Sequence, residues 1–198
     1  MDKKVYISGF LVFVLIIAII FLVFSVAKPK EKEITKEIAV FETTQGIFEI
    51  ELDRNSAPIT VENFVNYVKS GFYDGTVFHR VMPNFVVQAG GYTQNGKSKE
   101  RGSPIFLESK NGLSNKLGTV AMARTMIENS ATSEFYINLK DNLFLDYAPG
   151  NPGYAVFGKI VKGLEVIFEI AKQPTKTKYN MENWPVQDII IVKAYMGD

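Results

Sequence analysis

The chain has 198 residues, a net charge of +1, 46% hydrophobic and 22% charged residues, which leaves room for one membrane or targeting segment and one ordinary folded domain and excludes wholesale disorder. With no cysteine and a single histidine, disulfides, thiol nucleophiles and Cys- or His-based metal cages are excluded. From Lys28 onward acidic and basic residues balance, and no Lys/Arg run is long enough to track a nucleic acid.

In chain order, residues 1–4 form a short tail, followed by Val5–Ala27, a stretch without a charge and rich in Ile, Val, Leu and Phe. An apolar helix needs ~20 residues to cross the hydrocarbon core, so residues 5–27 are long enough to be a transmembrane anchor. A cleaved signal segment is the alternative, since Ser25-Val26-Ala27 has the small-x-small form of a cleavage site. Lysines flank the run on both sides (Lys3 and Lys4 before it, Lys28, Lys30, Lys32 and Lys36 after it) and leave its orientation open. Residues 28–37 read as a charged, solvated linker.

The globular domain is expected over 38–198. Ala39–Thr43 and Gly46–Leu52 read as two strands about Thr44-Gln45. Val61, Phe64, Val65 and Val68 recur at helical spacing, with Thr60 or Ser56 as cap and Gly71 as stop. Next comes Phe78-His79-Arg80-Val81-Met82-Pro83-Asn84-Phe85-Val86-Val87-Gln88-Ala89-Gly90-Gly91, two short strands joined at Pro83-Asn84. Strand alternation puts Phe78, Arg80 and Met82 on one face, Val86 and Gln88 on another, and turns His79 away from Arg80. A guanidinium and an amide among hydrophobes suit a neutral peptide better than a phosphate or a metal. Tyr92–Gly118 reads as a long polar loop with at most a short strand at Ile105–Leu107. Strands follow at Thr119–Ala123, Glu134–Leu139 and Tyr154–Val161. A second helical stripe falls on Leu164, Ile167, Phe168 and Ala171, and Val186–Ala194 closes the chain as a strand. Many short strands with two helices fit a barrel capped at its ends.

Five ordered blocks resemble the signature of the cyclophilin-type prolyl isomerases. They are the 78–91 segment, Gly118–Thr125, Ser130–Asn138, Phe144-Leu145-Asp146 and Gly153–Gly158. With the apolar N-terminal run, the chain is most similar to exported, periplasmic bacterial cyclophilins. The resemblance implies a mainly β fold, a closed eight-stranded antiparallel barrel capped by two helices, and rotation about X–Pro bonds during protein folding. It needs no cofactor and no metal. It further implies Arg80, Phe85 and Gln88 as catalytic residues, and Val86, Ala123, Arg124, Thr125, Glu134, Tyr136, Phe144, Leu145 and Tyr154 as the substrate-binding set. The expected partners are Pro-containing segments of folding proteins and the lipid bilayer through residues 5–27, with no nucleic acid, the protein itself being a monomer. The expected location is the bacterial inner membrane with the domain on the extracytoplasmic side, or the periplasm if the chain is cleaved after Ala27. A catalytically weak, membrane-anchored module that holds Pro-peptides is the rival function.

Four positions depart from the family pattern: Glu134 for glutamine, Tyr136 for phenylalanine, Val86 for methionine and Phe144 for tryptophan. Periodicity puts Glu134 on the same face as Tyr136, where it either pairs with Arg80 or faces solvent. The Tyr136 hydroxyl needs a partner if it is buried. His79 is expected to be structural, because amide rotation needs no base, and Trp184 to be a packing or loop residue.

Overall fold

The computed structural model describes residues 36–197; the tail, the apolar run 5–27 and most of the linker lie outside the described residues. Among the described residues no helix is long and apolar enough to cross a membrane.

Eight strands form one antiparallel sheet: β1 (Glu37–Thr43), β2 (Gly46–Leu52), β3 (Arg80–Met82), β4 (Val86–Ala89), β5 (Thr119–Met122), β6 (Phe135–Asn138), β7 (Val156–Lys162) and β10 (Ile191–Met196). Their spatial order is β10-β1-β2-β7-β5-β6-β4-β3. The sheet curls, but the expected fully closed barrel is not laddered at its seam. Edge strands β3 and β10 share no register. The segments just before them are stitched instead, by a Val77–Ile190 bridge and by bonds from the Phe78 N–H to the Ile189 carbonyl and from the Ile191 N–H to the Thr76 carbonyl. Helices α1 (Pro58–Lys69) and α2 (Leu164–Ala171) complete the domain.

The core gathers because alternate strand positions are large and apolar. Phe41 stacks on Phe48 at 5.1 Å, and Phe64, Phe135 and Tyr73 meet at 5.4–5.5 Å. Such aromatic pairs add ~0.5–1.5 kcal/mol each beyond the area they bury. Helix α1 buries Val61, Phe64, Val65 and Val68, the stripe its spacing predicts.

Its cap differs from expectation. Neither Thr60 nor Ser56 caps it; Pro58 opens the first turn, and the remote Glu108 carboxylate accepts from the Ile59 and Thr60 N–H groups at 3.1 and 2.7 Å. An anion at a helix N-terminus satisfies orphan donors and opposes the macrodipole favourably. Helix α2 likewise buries Ile167, Ile170 and Ala171, while Phe168 turns out to solvent.

The last expected strand is also displaced. Residues 175–185 form a separate hairpin, β8 (Thr175–Lys178) and β9 (Met181–Pro185), turned at Tyr179-Asn180 with both φ positive. Without glycine, that turn carries only Asn180 as a hairpin signal. Trp184 is fully buried there, its indole N–H donating to Asp188 at 2.7 Å, so it is a packing residue.

Candidate active site

Register decides which residues can meet. Arg80 pairs with Gln88, Gln88 with Tyr136, Tyr136 with Ala121, and Ala121 with Val156. Directly opposed residues in an antiparallel ladder point to the same face. Arg80, Gln88 and Tyr136 therefore stand in one row across β3, β4 and β6, and Met82 opposes Val86 beside them. This corrects the sequence expectation that set Arg80 and Gln88 on different faces. Phe78 is also corrected: it precedes β3 in irregular backbone and belongs to the core.

On this face Val86, Ala121, Tyr136 and Val156 form a second buried apolar cluster, distinct from the main core. Phe85, Leu113, Ala123, Leu145 and Tyr154 pack against it partly buried. Six residues singled out from sequence are thus brought together: Phe85, Val86, Ala123, Tyr136, Leu145 and Tyr154. The Arg80 guanidinium lies 5.8 Å from the Phe85 ring centre and donates to Gln88 Oε1 at 3.3 Å. Among the described residues Arg80 makes no ion pair, so its charge faces the apolar cluster uncompensated by a direct partner. Phe144 is 64% exposed and stacks on Phe85 at 5.9 Å, a rim residue more than a wall.

The floor is held by amides that sequence reading missed. The Tyr136 hydroxyl donates to Asn115 Oδ1 at 2.7 Å, which supplies the partner a buried phenol needs. Asn115 in turn donates to Asp146 through its backbone N–H and side-chain amide, at 2.7 and 2.8 Å. Asn142 donates to the Phe85 carbonyl at 3.0 Å and to Asn138 at 2.9 Å, fixing the strand turn that presents Phe85. Burial pushes the Tyr136 phenol well above its ordinary value, with Tyr154 and Asp146 adding to the rise, so it remains a donor. Isolated asparagines in loops give no sequence signal for such a network. Only their convergence identifies it.

At the rim, Arg124 Nε and one terminal nitrogen donate to the Gly153 carbonyl at 2.9 and 2.8 Å, and its guanidinium lies 4.6 Å from the Tyr154 ring centre. The side chain thereby orients Tyr154. Thr125 closes its loop by bonding Ser130 through both N–H and hydroxyl.

Behind the row, Glu134 accepts from Gln88 Nε2 at 2.8 Å. It also lies 3.2 Å from His79 Nε2 and 2.8 Å from an Arg101 nitrogen. Its cation is therefore Arg101, not Arg80, and it does not face solvent. Burial alone would raise the Glu134 carboxyl, but the His79 ring, Arg101 and the Gln88 amide outweigh it and hold the group below the ordinary carboxylate value. Among the described residues no cluster of His, Cys, Asp or Glu has the makings of a metal site.

Residues 38–196 match the family described as cyclophilin type peptidyl-prolyl cis-trans isomerase/CLD. A peptidyl-prolyl cis-trans isomerase of Acinetobacter baylyi is 50% identical over 152 residues, covering 77% of this chain and 81% of that protein. Peptidyl-prolyl cis-trans isomerase B of Escherichia coli K12 is 40% identical over 164 residues, 81% of this chain and 100% of its own length. A Cryptosporidium parvum cyclophilin, crystallised in the presence of the dipeptide Ala-Pro, superposes with a TM-score of 0.70 at 26% identity, over 81% of this chain and 99% of that one. The chain belongs to the cyclophilin-type peptidyl-prolyl cis-trans isomerase family.

Proposed function

We propose that the protein accelerates cis–trans rotation about X–Pro bonds of folding polypeptides, with Arg80 as the electrostatic catalyst. The carrying observation is the placement of an unpaired guanidinium, steadied by Gln88, beside the Phe85 ring at the edge of an apolar cluster that includes Phe85, Val86, Tyr136, Leu145 and Tyr154. Rotation has a barrier of ~18–20 kcal/mol and breaks no covalent bond, so neither nucleophile nor general base is needed. Twisting the amide ends its resonance and leaves a lone pair on the proline nitrogen. A fixed N–H donor stabilises that twisted state more than either planar ground state, which is the condition for lowering the barrier. A rate gain of ~10⁵ corresponds to about 7 kcal/mol of such differential stabilisation.

In this reading the proline ring seats in the apolar cluster with Phe144 at the mouth. The main chain at Ala123, Arg124 and Thr125 receives the client's main chain, for which no hydrogen bond among the described residues occupies the Arg124 N–H or carbonyl. The apolar run 5–27 tethers the domain to a membrane, as a monomer with the catalytic domain on the extracytoplasmic side. The resemblance to exported cyclophilins supports that side. A fusion reporter at the C-terminus that works only in the cytoplasm would overturn it.

The activity test is proline-limited refolding and peptide isomerisation by the full chain, with Arg80→Ala alongside. Turnover lost in the variant supports the enzyme. Peptide binding without turnover in the unaltered protein identifies a holding module instead.

A further inference from the structure

Glu134 was expected to touch substrate, yet its side chain is only 15% exposed and both its oxygens are engaged by the chain's own donors. It stands one hydrogen bond removed from Arg80, through Gln88. We propose that Glu134 is a positioning residue for Arg80, acting through the Gln88 amide, with Arg101 as its counter-cation. The proposal rests on the reading of Arg80 as the catalytic donor.

An ionised carboxylate only accepts hydrogen bonds, whereas a primary amide has a donor end and an acceptor end. With Nε2 donating to Glu134, Oε1 is left facing the Arg80 guanidinium. The reversed amide would set oxygen against carboxylate and N–H against guanidinium, two repulsive contacts. Both bonds are charge-assisted, but the Glu134 bond is the shorter, 2.8 Å against 3.3 Å, so the amide is anchored from the Glu134 side. Replacing the carboxylate by an amide removes the bias, because an amide there either donates or accepts.

A negative charge so near Arg80 would also weaken the field Arg80 offers a substrate. Arg101 answers this at 2.8 Å, with its guanidinium 5.3 Å from the Tyr92 ring centre. His79 approaches the other carboxylate oxygen, with the Tyr92 and Trp184 rings packed against it at 4.8 and 6.2 Å. Gly91 makes the space: a Cβ there would lie 2.6 Å from Glu134 Oε1 and 2.7 Å from its carboxyl carbon. The 92–101 loop, polar and featureless in sequence, therefore supplies the charge balance of the arginine system.

The test uses the full chain and the variants Glu134→Gln, Arg101→Gln and Arg80→Ala, with kcat and KM for a proline peptide from pH 5 to pH 8 and the Gln88 side-chain amide signals by NMR. Glu134→Gln is expected to lower kcat about 3- to 10-fold with KM within about 2-fold, and to abolish the downfield shift of one Gln88 amide proton. Arg101→Gln is expected to lower kcat about 2-fold at pH 8, as the unneutralised carboxylate weakens the field at Arg80, and to lose further rate on the acid side, as the uncompensated Glu134 takes up a proton at higher pH. A folded Glu134→Gln protein with unchanged kcat and Gln88 signals, beside an inactive Arg80→Ala, overturns the positioning role alone. An active Arg80→Ala overturns the catalytic reading and the proposal with it. Should Glu134→Gln fail to fold, the acid limb of Arg101→Gln decides, and its absence overturns the proposal.

Discussion

The two faces of the β3–β4–β6–β5 segment of the sheet are built on different physics. One carries Val81, Val87, Ile137 and Val120 in register, all within the main core. The other, offset by a single residue, carries Arg80, Gln88, Tyr136 and Ala121. The first row is held by packing, which is non-directional and depends on volume filled. The second is held by an ion pair from Arg101 to Glu134, by hydrogen bonds that run on through Gln88 to Arg80, and by others from Tyr136 through Asn115 to Asp146. One backbone thus serves stability on one side and a directional, chemically exposed arrangement on the other. Damage to each face should be separable.

The largest expected effect is on the core face. Ile137→Ala should cost ~2–5 kcal/mol of unfolding free energy, with the folded fraction keeping its turnover, because the cavity opens away from the site. A chemical denaturation curve read together with rate per folded molecule tests this; loss of intrinsic rate at full folding would break the separation of faces. Arg80→Ala should do the reverse, losing at least ~100-fold in kcat/KM, about 2.7 kcal/mol of barrier, with a melting temperature close to the parent's. Tyr136→Phe sits between the two, since its ring packs and its hydroxyl bonds Asn115. A loss of ~1 kcal/mol in stability is expected, with turnover changed less than about 3-fold. Equal stability would mean that Asn115 finds another partner at no cost.

The smallest effect concerns acid. The folded Glu134 carboxyl is held below its unfolded value, so its contribution to stability is present above the unfolded value of ~4.3 and is lost as pH falls through the folded one. Below about pH 5 the parent should therefore lose stability more steeply than Glu134→Gln, whereas Ile137→Ala should keep the parent's slope. Parallel curves for the parent and Glu134→Gln would place the linkage elsewhere, the Glu37–Arg54 pair being the next candidate.

Much of the domain was readable because local chemistry and tertiary demand agreed. The 2-residue and 3.6-residue periodicities located β1, β2, α1 and the site strands, with strand ends off by up to two residues, as at β1, β3 and β7. The blocks around Arg80, Gln88, Tyr136 and Leu145 named residues that the fold then gathered around one apolar cluster. Where the reading failed, the deciding contact came from far along the chain. The cap of α1 is a carboxylate from residue 108, the β8–β9 hairpin turns without glycine, and the final strand begins at Ile191 because Val186–Ile190 is tied elsewhere, Asp188 to Trp184 and the Ile189 carbonyl to the Phe78 N–H.

The sequence alone therefore determined the alternation that splits each strand into two faces, which depends on neighbours a few residues apart, while the resemblance of its ordered blocks to the family pointed to Arg80, Gln88 and Tyr136. Only the tertiary structure decided which faces coincide. Strand register placed Arg80 beside Gln88 instead of behind it, and a loop some thirty residues away supplied Arg101 to take the Glu134 carboxylate that sequence spacing had offered to Arg80. An ion pair goes to the donor that folding brings within hydrogen-bond reach, and that distance is set by the packing of distant segments, not by spacing along the chain.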